Sequence, residues 1–159
     1  MREPVTAYVA LGANLGDAAA ALRLAVKALA KLPLCELLAC SSLYATAPID
    51  SSGPDYLNAV VALQTRLTAP ALLDELQAVE NAAGRDRPYR NAPRTLDLDL
   101  LLYGDATLDS PRLTVPHPRM TSRAFVLVPL AEIAPARVSQ KQLADVADQA
   151  IVKVADLVV

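Results

Sequence analysis

Asp97 and Asp99 stand two residues apart in the run Arg94-Thr95-Leu96-Asp97-Leu98-Asp99-Leu100-Leu101-Leu102-Tyr103. On an extended strand, side chains at i and i+2 share a face, about 6.6 Å apart along the backbone. Both carboxylates then project one way, while Leu96, Leu98 and Leu100 project the other. The apolar neighbours predict a buried or cleft-facing strand. Two bare carboxylates there would be costly unless something cationic neutralised them. A divalent metal is one candidate. The other is the segment Arg85-Asp86-Arg87-Pro88-Tyr89-Arg90-Asn91-Ala92-Pro93-Arg94, with four guanidiniums and one acid. Guanidinium forks match phosphate oxygens in bidentate geometry. Mg²⁺ usually takes one or two carboxylates and completes its shell with water and substrate phosphates. Carboxylates beside dense arginines therefore suit metal-assisted chemistry on a polyphosphate.

The elements that must position these groups follow from pattern and punctuation. Residues 5–11 read as a strand, and Asp17 as the cap of a helix over 18–32 that Pro33 ends. Residues 34–46 are expected to be extended, 47–55 a loop, and Tyr56 to Leu67 a strand. Thr68 caps a helix with Pro70 in its first turn, ending at Gly84. The arginine segment is an irregular loop, because Pro88 and Pro93 each remove a backbone donor. Residues 95–103 form the acidic strand and Gly104-Asp105 a turn. A helix over 121–133, interrupted near Pro129, a short helix around 141–150 and a last strand complete the chain. Strand-helix-strand-strand-helix-strand is the split pattern of a ferredoxin-like α+β fold. The expected architecture is an α/β/α sandwich with a mostly antiparallel central sheet.

The totals set bounds. A chain of 159 residues fits one domain spanning 1–159 and can bury a proper core. Hydrophobic content of 53% with 20% charged residues reads as globular. A formal charge of −2 gives no general attraction to nucleic acid or an anionic membrane. No apolar run approaches the roughly 20 residues of a membrane helix, and Asn14, Asp17 and Arg23 break any secretory leader. Cys35 and Cys40 would face opposite ways on a regular strand, so no local disulfide or metal pair is indicated. A cytoplasmic location and a monomer are expected.

Arg90-x-Ala92-Pro93-Arg94-x-x-Asp97-Leu98-Asp99-Leu100-Leu101 resembles the signature of 6-hydroxymethyl-7,8-dihydropterin pyrophosphokinase. Three more blocks resemble that family in the same order. They are Gly12-Ala13-Asn14-Leu15-Gly16-Asp17, then Pro54-Asp55-Tyr56-Leu57-Asn58-Ala59, then Leu113-Thr114-Val115-Pro116-His117 with Arg123-x-Phe125. They span residue 8 to about 135. The resemblance implies an enzyme of folate biosynthesis that moves pyrophosphate from ATP to a pterin alcohol, on the same α+β architecture.

It also implies roles. Asp97 and Asp99 would bind two Mg²⁺ ions. Arg85 and Arg94 would stabilise charge as AMP departs, while Arg87 and Arg90 would ride a mobile loop closing over ATP. That loop is one residue shorter than in well-known members, and Asn91 stands where many have tryptophan. Gln77 and Glu80, three apart on one helix face, would touch ATP, as would His117 and Arg123. Pro118 follows His117 where some members have tyrosine. Phe125 and Tyr56 would stack on the pterin, Asn58 would bond its edge, and Thr46 and Ile49 would complete the wall, with Ala47 replacing a common proline. The glycines of 12–17 match neither a dinucleotide fingerprint nor a Walker loop and read as a strand-to-helix turn near that pocket.

Each residue also has a plainer reading: solvated arginines, a structural histidine, ordinary core aromatics, a polar helix surface. At the level of the whole chain two rivals stand, a non-catalytic ligand-binding module on the same fold and a two-metal phosphoesterase.

Overall fold

The structure is a computed structural model, and it describes residues 3–14, 17–46, 55–84 and 96–157. Strand β1 (Val5–Ala13) leads to helix α1 (Ala18–Ala30), followed by β2 (Cys35–Cys40), β3 (Ser42–Thr46), β4 (Tyr56–Thr65), α2 (Ala69–Gly84) and β5 (Asp97–Tyr103). A small hairpin, β6 (Leu108–Asp109) and β7 (Thr114–Val115), precedes α3 (Ala124–Ile133), α4 (Gln140–Asp145) and β8 (Val152–Asp156). The expected caps are in place. The Asp17 carboxylate accepts the Ala20 N–H at 3.1 Å, and the Thr68 hydroxyl accepts that of Ala71 at 3.2 Å. Each satisfies a first-turn donor that the helix cannot pair internally.

The main sheet runs β5-β1-β4-β3-β8, with β2 also paired to β4. Its pairings are antiparallel, which is the split pattern with β8 added outside. One face is covered by α1 and α2, through Leu22, Leu29, Leu72 and Leu76. The other is covered by α3, through Val126, Leu127 and Leu130. Each fully buried leucine contributes about 1.5–3 kcal/mol, so the two cores clamp the sheet between layers.

Several expectations need correction. Residues 34–46 form two strands, because Ser41 kinks the chain: its N–H donates to the Val60 carbonyl and its hydroxyl accepts the Val60 N–H, both at 2.9 Å. A register shift between Leu37 and Ala39 marks a bulge at Leu38. Past it the facing parity flips, so Cys35 and Cys40 both pack against the α1–α2 core rather than facing opposite ways. Both are free thiols. Pro129 lies inside α3 without interrupting it, and a 3-10 turn at Met120–Ser122 replaces the expected first turn. Helix α4 stops at Asp145, well short of residue 150. The short strands β6 and β7 went unanticipated, being only two residues each.

Candidate active site

One row across the sheet organises the site. Gly12 pairs with Asn58 of β4 on one side and with Asp97 of β5 on the other. Asn58 pairs in turn with Tyr44 of β3. Directly opposed residues share a face, so Tyr44, Asn58, Gly12 and Asp97 all look toward the α3 layer. Two strand spacings put Asn58 and Asp97 about 10 Å apart, and Gly12 has no side chain to fill the gap. In the neighbouring row, Ala10 faces Asp99, again a small residue beside an acid.

The side of this face nearer β3 is interlocked. Asn58 is 5% exposed and its Nδ2 donates to the Thr46 hydroxyl at 2.9 Å. Tyr56 shares the face and is more open. Phe125, on the first turn of α3, is partly buried against the α3 core, with the Arg123 guanidinium 5.3 Å above its ring centre. Glu132, near the other end of α3, accepts the Ser42 N–H (2.8 Å), the Ser42 hydroxyl (2.7 Å) and the Tyr44 hydroxyl (2.8 Å). Burial opposes ionisation of Glu132, but those bonds and the charge of Lys153 together hold its carboxyl below the ordinary range. Burial and the same carboxylate push Tyr44 up to about 12. The network therefore pins α3, and Phe125 with it, to β3.

The side at β5 is an edge. Leu96, Leu98 and Leu100 are buried, as the alternation required, but Asp97 and Asp99 are exposed. The acids are thus cleft-facing and not buried, and the solvent they meet removes the desolvation problem the apolar neighbours suggested. Glu80 of α2 accepts the Leu98 N–H at 2.7 Å, so its carboxylate sits at the strand edge between the two aspartates. Gln77 is exposed one turn earlier. A cleft of about 260 Å³ follows this edge, walled by Leu73, Leu98, Leu100, Leu113 and Pro118 with Asp99, Arg112, Thr114 and His117 among its polar groups. His117 donates its N–H to the Leu101 carbonyl at 2.8 Å, and its Nδ1 accepts the Arg119 N–H at 3.2 Å. That bond leaves the neutral ring's proton on Nε2. Burial lowers the His117 pKa; Asp99 opposes this, while Arg123 and Arg119 reinforce it. The ring is a neutral donor placed beside Asp99 and two guanidiniums.

Comparison with known proteins resolves the class. The model of the 7,8-dihydro-6-hydroxymethylpterin-pyrophosphokinase (HPPK) family matches residues 8–135. The chain belongs to this family. It is 48% identical over 131 residues to the 2-amino-4-hydroxy-6-hydroxymethyldihydropteridine pyrophosphokinase of Haemophilus influenzae, covering 82% of each chain. It is 50% identical over 129 residues to the Pseudomonas aeruginosa enzyme of the same name, covering 80% of each. A solved Plasmodium falciparum HPPK-DHPS triple mutant superposes with TM-score 0.68 at 14% identity, over 90% of this chain and 42% of that one. The wild-type protein of that species, solved with pterin and p-hydroxybenzoate, gives TM-score 0.64 at 15% identity, over 85% and 40%. This chain therefore spans about two fifths of those longer chains, and the likeness bears on fold alone.

Of the residues singled out in the sequence, Thr46, Tyr56, Asn58, Asp97, Asp99, His117, Arg123 and Phe125 belong to β3, β4, β5 and the turn into α3, around one face and one edge of the sheet. Gln77 and Glu80 reach the same edge from α2. Ile49, Arg85, Arg87, Arg90 and Arg94, with Ala47 and Asn91, lie outside the described residues, as do both expected loops apart from Asp55. Sequence reasoning passed over Leu73 and Arg112, and quoted Thr114 within a block without giving it a role. Leu73 lies four residues before Gln77 on one helical stripe, a signal that was legible. Arg112 depends on a hairpin too short to announce itself.

Proposed function

We propose that the chain transfers pyrophosphate from ATP to 6-hydroxymethyl-7,8-dihydropterin, giving AMP and the pterin diphosphate for folate biosynthesis. The observation that carries this reading is the row Asn58–Gly12–Asp97. It sets a buried amide, with donor and acceptor for a heterocycle edge, about 10 Å from an acid pair, with open floor between. A pterin held at Asn58, Thr46, Tyr56 and Phe125 directs its hydroxymethyl group toward the aspartates. ATP occupies the β5 cleft, its base against the leucine walls and its phosphates toward His117 and Arg123. Gln77 and Glu80 line the ATP side. Arg85 and Arg94 neutralise charge on the departing AMP, and Arg87 and Arg90 bind ATP.

Asp97 and Asp99 fit a pair of Mg²⁺ ions: they are exposed oxygen donors on one face of β5. That is the sparse donor set Mg²⁺ accepts when phosphates and water complete its shell. When bound, the ions would neutralise phosphate charge and acidify the attacking hydroxyl. The protein supplies alignment. The pterin hydroxyl attacks the β-phosphorus in line, its proton passing toward Asp97, and AMP leaves. Positioning and charge neutralisation carry the rate. The chain is taken to act as a monomer and a single domain, and its free thiols suit the reducing cytoplasm.

Incubation with ATP, Mg²⁺ and the pterin alcohol, followed by nucleotide chromatography, tests the reading. AMP formed only when pterin is present supports it. ADP or phosphate without acceptor dependence points to a phosphoesterase, and no turnover to a binding module.

A further inference from the structure

The tip of the β6–β7 hairpin is closed by Ser110, whose N–H donates to the Leu113 carbonyl at 3.0 Å and whose hydroxyl accepts the Leu113 N–H at 3.1 Å. This tight turn presents Arg112 at the cleft, of which it is a lining residue. The Arg112 guanidinium is bonded to the Asp74 carboxylate. Asp74 lies on α2 directly after Leu73, which lines the opposite wall. Two other ion pairs among the described residues are of a different kind. Arg137–Asp105 ties down the turn after β5, and Lys141–Asp145 lies within α4. Arg112–Asp74, by contrast, joins the two walls of a cleft.

We propose that Asp74 sets the nucleotide affinity of this enzyme by holding Arg112 in a strap across the cleft mouth, a strap that a triphosphate must break. The proposal rests on ATP occupying this cleft. The two side chains are 48% and 62% exposed, so the pair is weak: surface ion pairs shift an equilibrium by about five-fold at most. A polyphosphate offers Arg112 several anionic oxygens in bidentate geometry where Asp74 offers one charge. The guanidinium therefore transfers to the nucleotide, and the energy of the broken pair is subtracted from binding. Asp74 also places a negative charge on the approach path of an anion. Asp74 acts through Arg112 and touches no reacting atom.

The test is calorimetric titration of the whole chain with Mg²⁺ and α,β-methylene-ATP, in the native sequence, Asp74→Asn, Arg112→Ala and the double variant. Asp74→Asn should bind the nucleotide about two- to five-fold more tightly at low salt, with the gain shrinking at high salt. In the Arg112→Ala background the same substitution should change little. Unchanged or weaker binding by Asp74→Asn overturns the proposal, because it would make Asp74 a bystander or a guide that pre-positions Arg112. A gain that persists without Arg112 also overturns it, leaving simple charge repulsion. Steady-state turnover provides a second readout: KM for ATP should fall while kcat and KM for pterin hold. Nucleotide binding without AMP formation from pterin would sink the assigned reaction and leave the strap standing.

Discussion

The two sides of the site are built on opposite principles. Around Asn58 the strand residues Ser42, Tyr44 and Asn58 are buried, and their polar groups are bonded to neighbours, one of them the solvent-exposed Glu132. Asn58 is tied to Thr46, and Ser42 and Tyr44 are tied to Glu132 on the covering helix. Around Asp99 the acids are exposed, the walls are an edge strand, a helix flank and a short hairpin, and a surface ion pair crosses the mouth. Buried, fully satisfied networks fix a unique geometry, whereas exposed charge pairs rearrange cheaply. A rigid flat heterocycle suits the first kind of wall, and a flexible, multiply charged chain of phosphates suits the second.

The sharpest way to break this contrast lies at the edge. Asp97→Ala or Asp99→Ala should reduce AMP formation by about 10²–10³-fold or more, while thermal unfolding barely changes, since both side chains are exposed. Near-normal turnover at saturating Mg²⁺ would remove the aspartates from the chemistry. Next comes the floor between the two sides. Gly12→Val keeps a strand-compatible residue but puts branched carbon where a Cβ already meets Asn58 Oδ1 at 3.4 Å. Turnover should drop by about 10²-fold, the scale of misalignment by an ångström, with the fold retained. Unaffected kinetics would mean that substrate does not bridge this row.

Smaller effects sharpen the division. Phe125→Ala should weaken pterin binding by about 1–3 kcal/mol, the range for stacking on an aromatic ring. Nucleotide affinity measured without pterin should hold, and calorimetry showing the reverse would mean the two sides are exchanged. Glu132→Gln should destabilise the fold modestly near neutral pH, by about 1 kcal/mol or less, because Glu132 is solvent-exposed and water screens its bonds. Because the folded Glu132 carboxyl is held low, its contribution is fully present above the ordinary glutamate range, roughly 4.3, and is lost as pH falls below it. The native chain should lose stability across that window more steeply than Glu132→Gln. Parallel denaturation curves from pH 6 downward would refute the pinning role.

The sequence made the pattern of elements legible because caps and breakers are local. Asp17, Thr68 and Pro33 act within one turn, and the alternation of 96–100 is set by the strand itself. The acid pair was visible from its spacing among apolar residues, whereas the lone histidine and Asn58 were singled out by the resemblance of their blocks to the family. What stayed hidden depends on pairing partners. The bulge at Leu38 exists only against β4 and reverses the facing of Cys40. Asp97 and Asp99 are exposed because β5 is an edge, a fact of sheet order that no run of leucines encodes. Pro129 was expected to break α3, yet packing of Val126, Leu127 and Leu130 on the sheet outweighs one absent donor. Arg112 became visible only once its hairpin was folded against α2.

The bonds that Glu80 and His117 make to β5 have a consequence beyond the cleft. An edge strand is a template on which any other extended segment can pair. Here the outward N–H of Leu98 is occupied by a carboxylate, and the carbonyl of Leu101 by the backbone of residue 117. Two of the groups that a further strand would need are thus already taken, which disfavours extension of the sheet there. The groups that give a small ligand its berth also keep the strand beneath it from becoming a seed for aggregation.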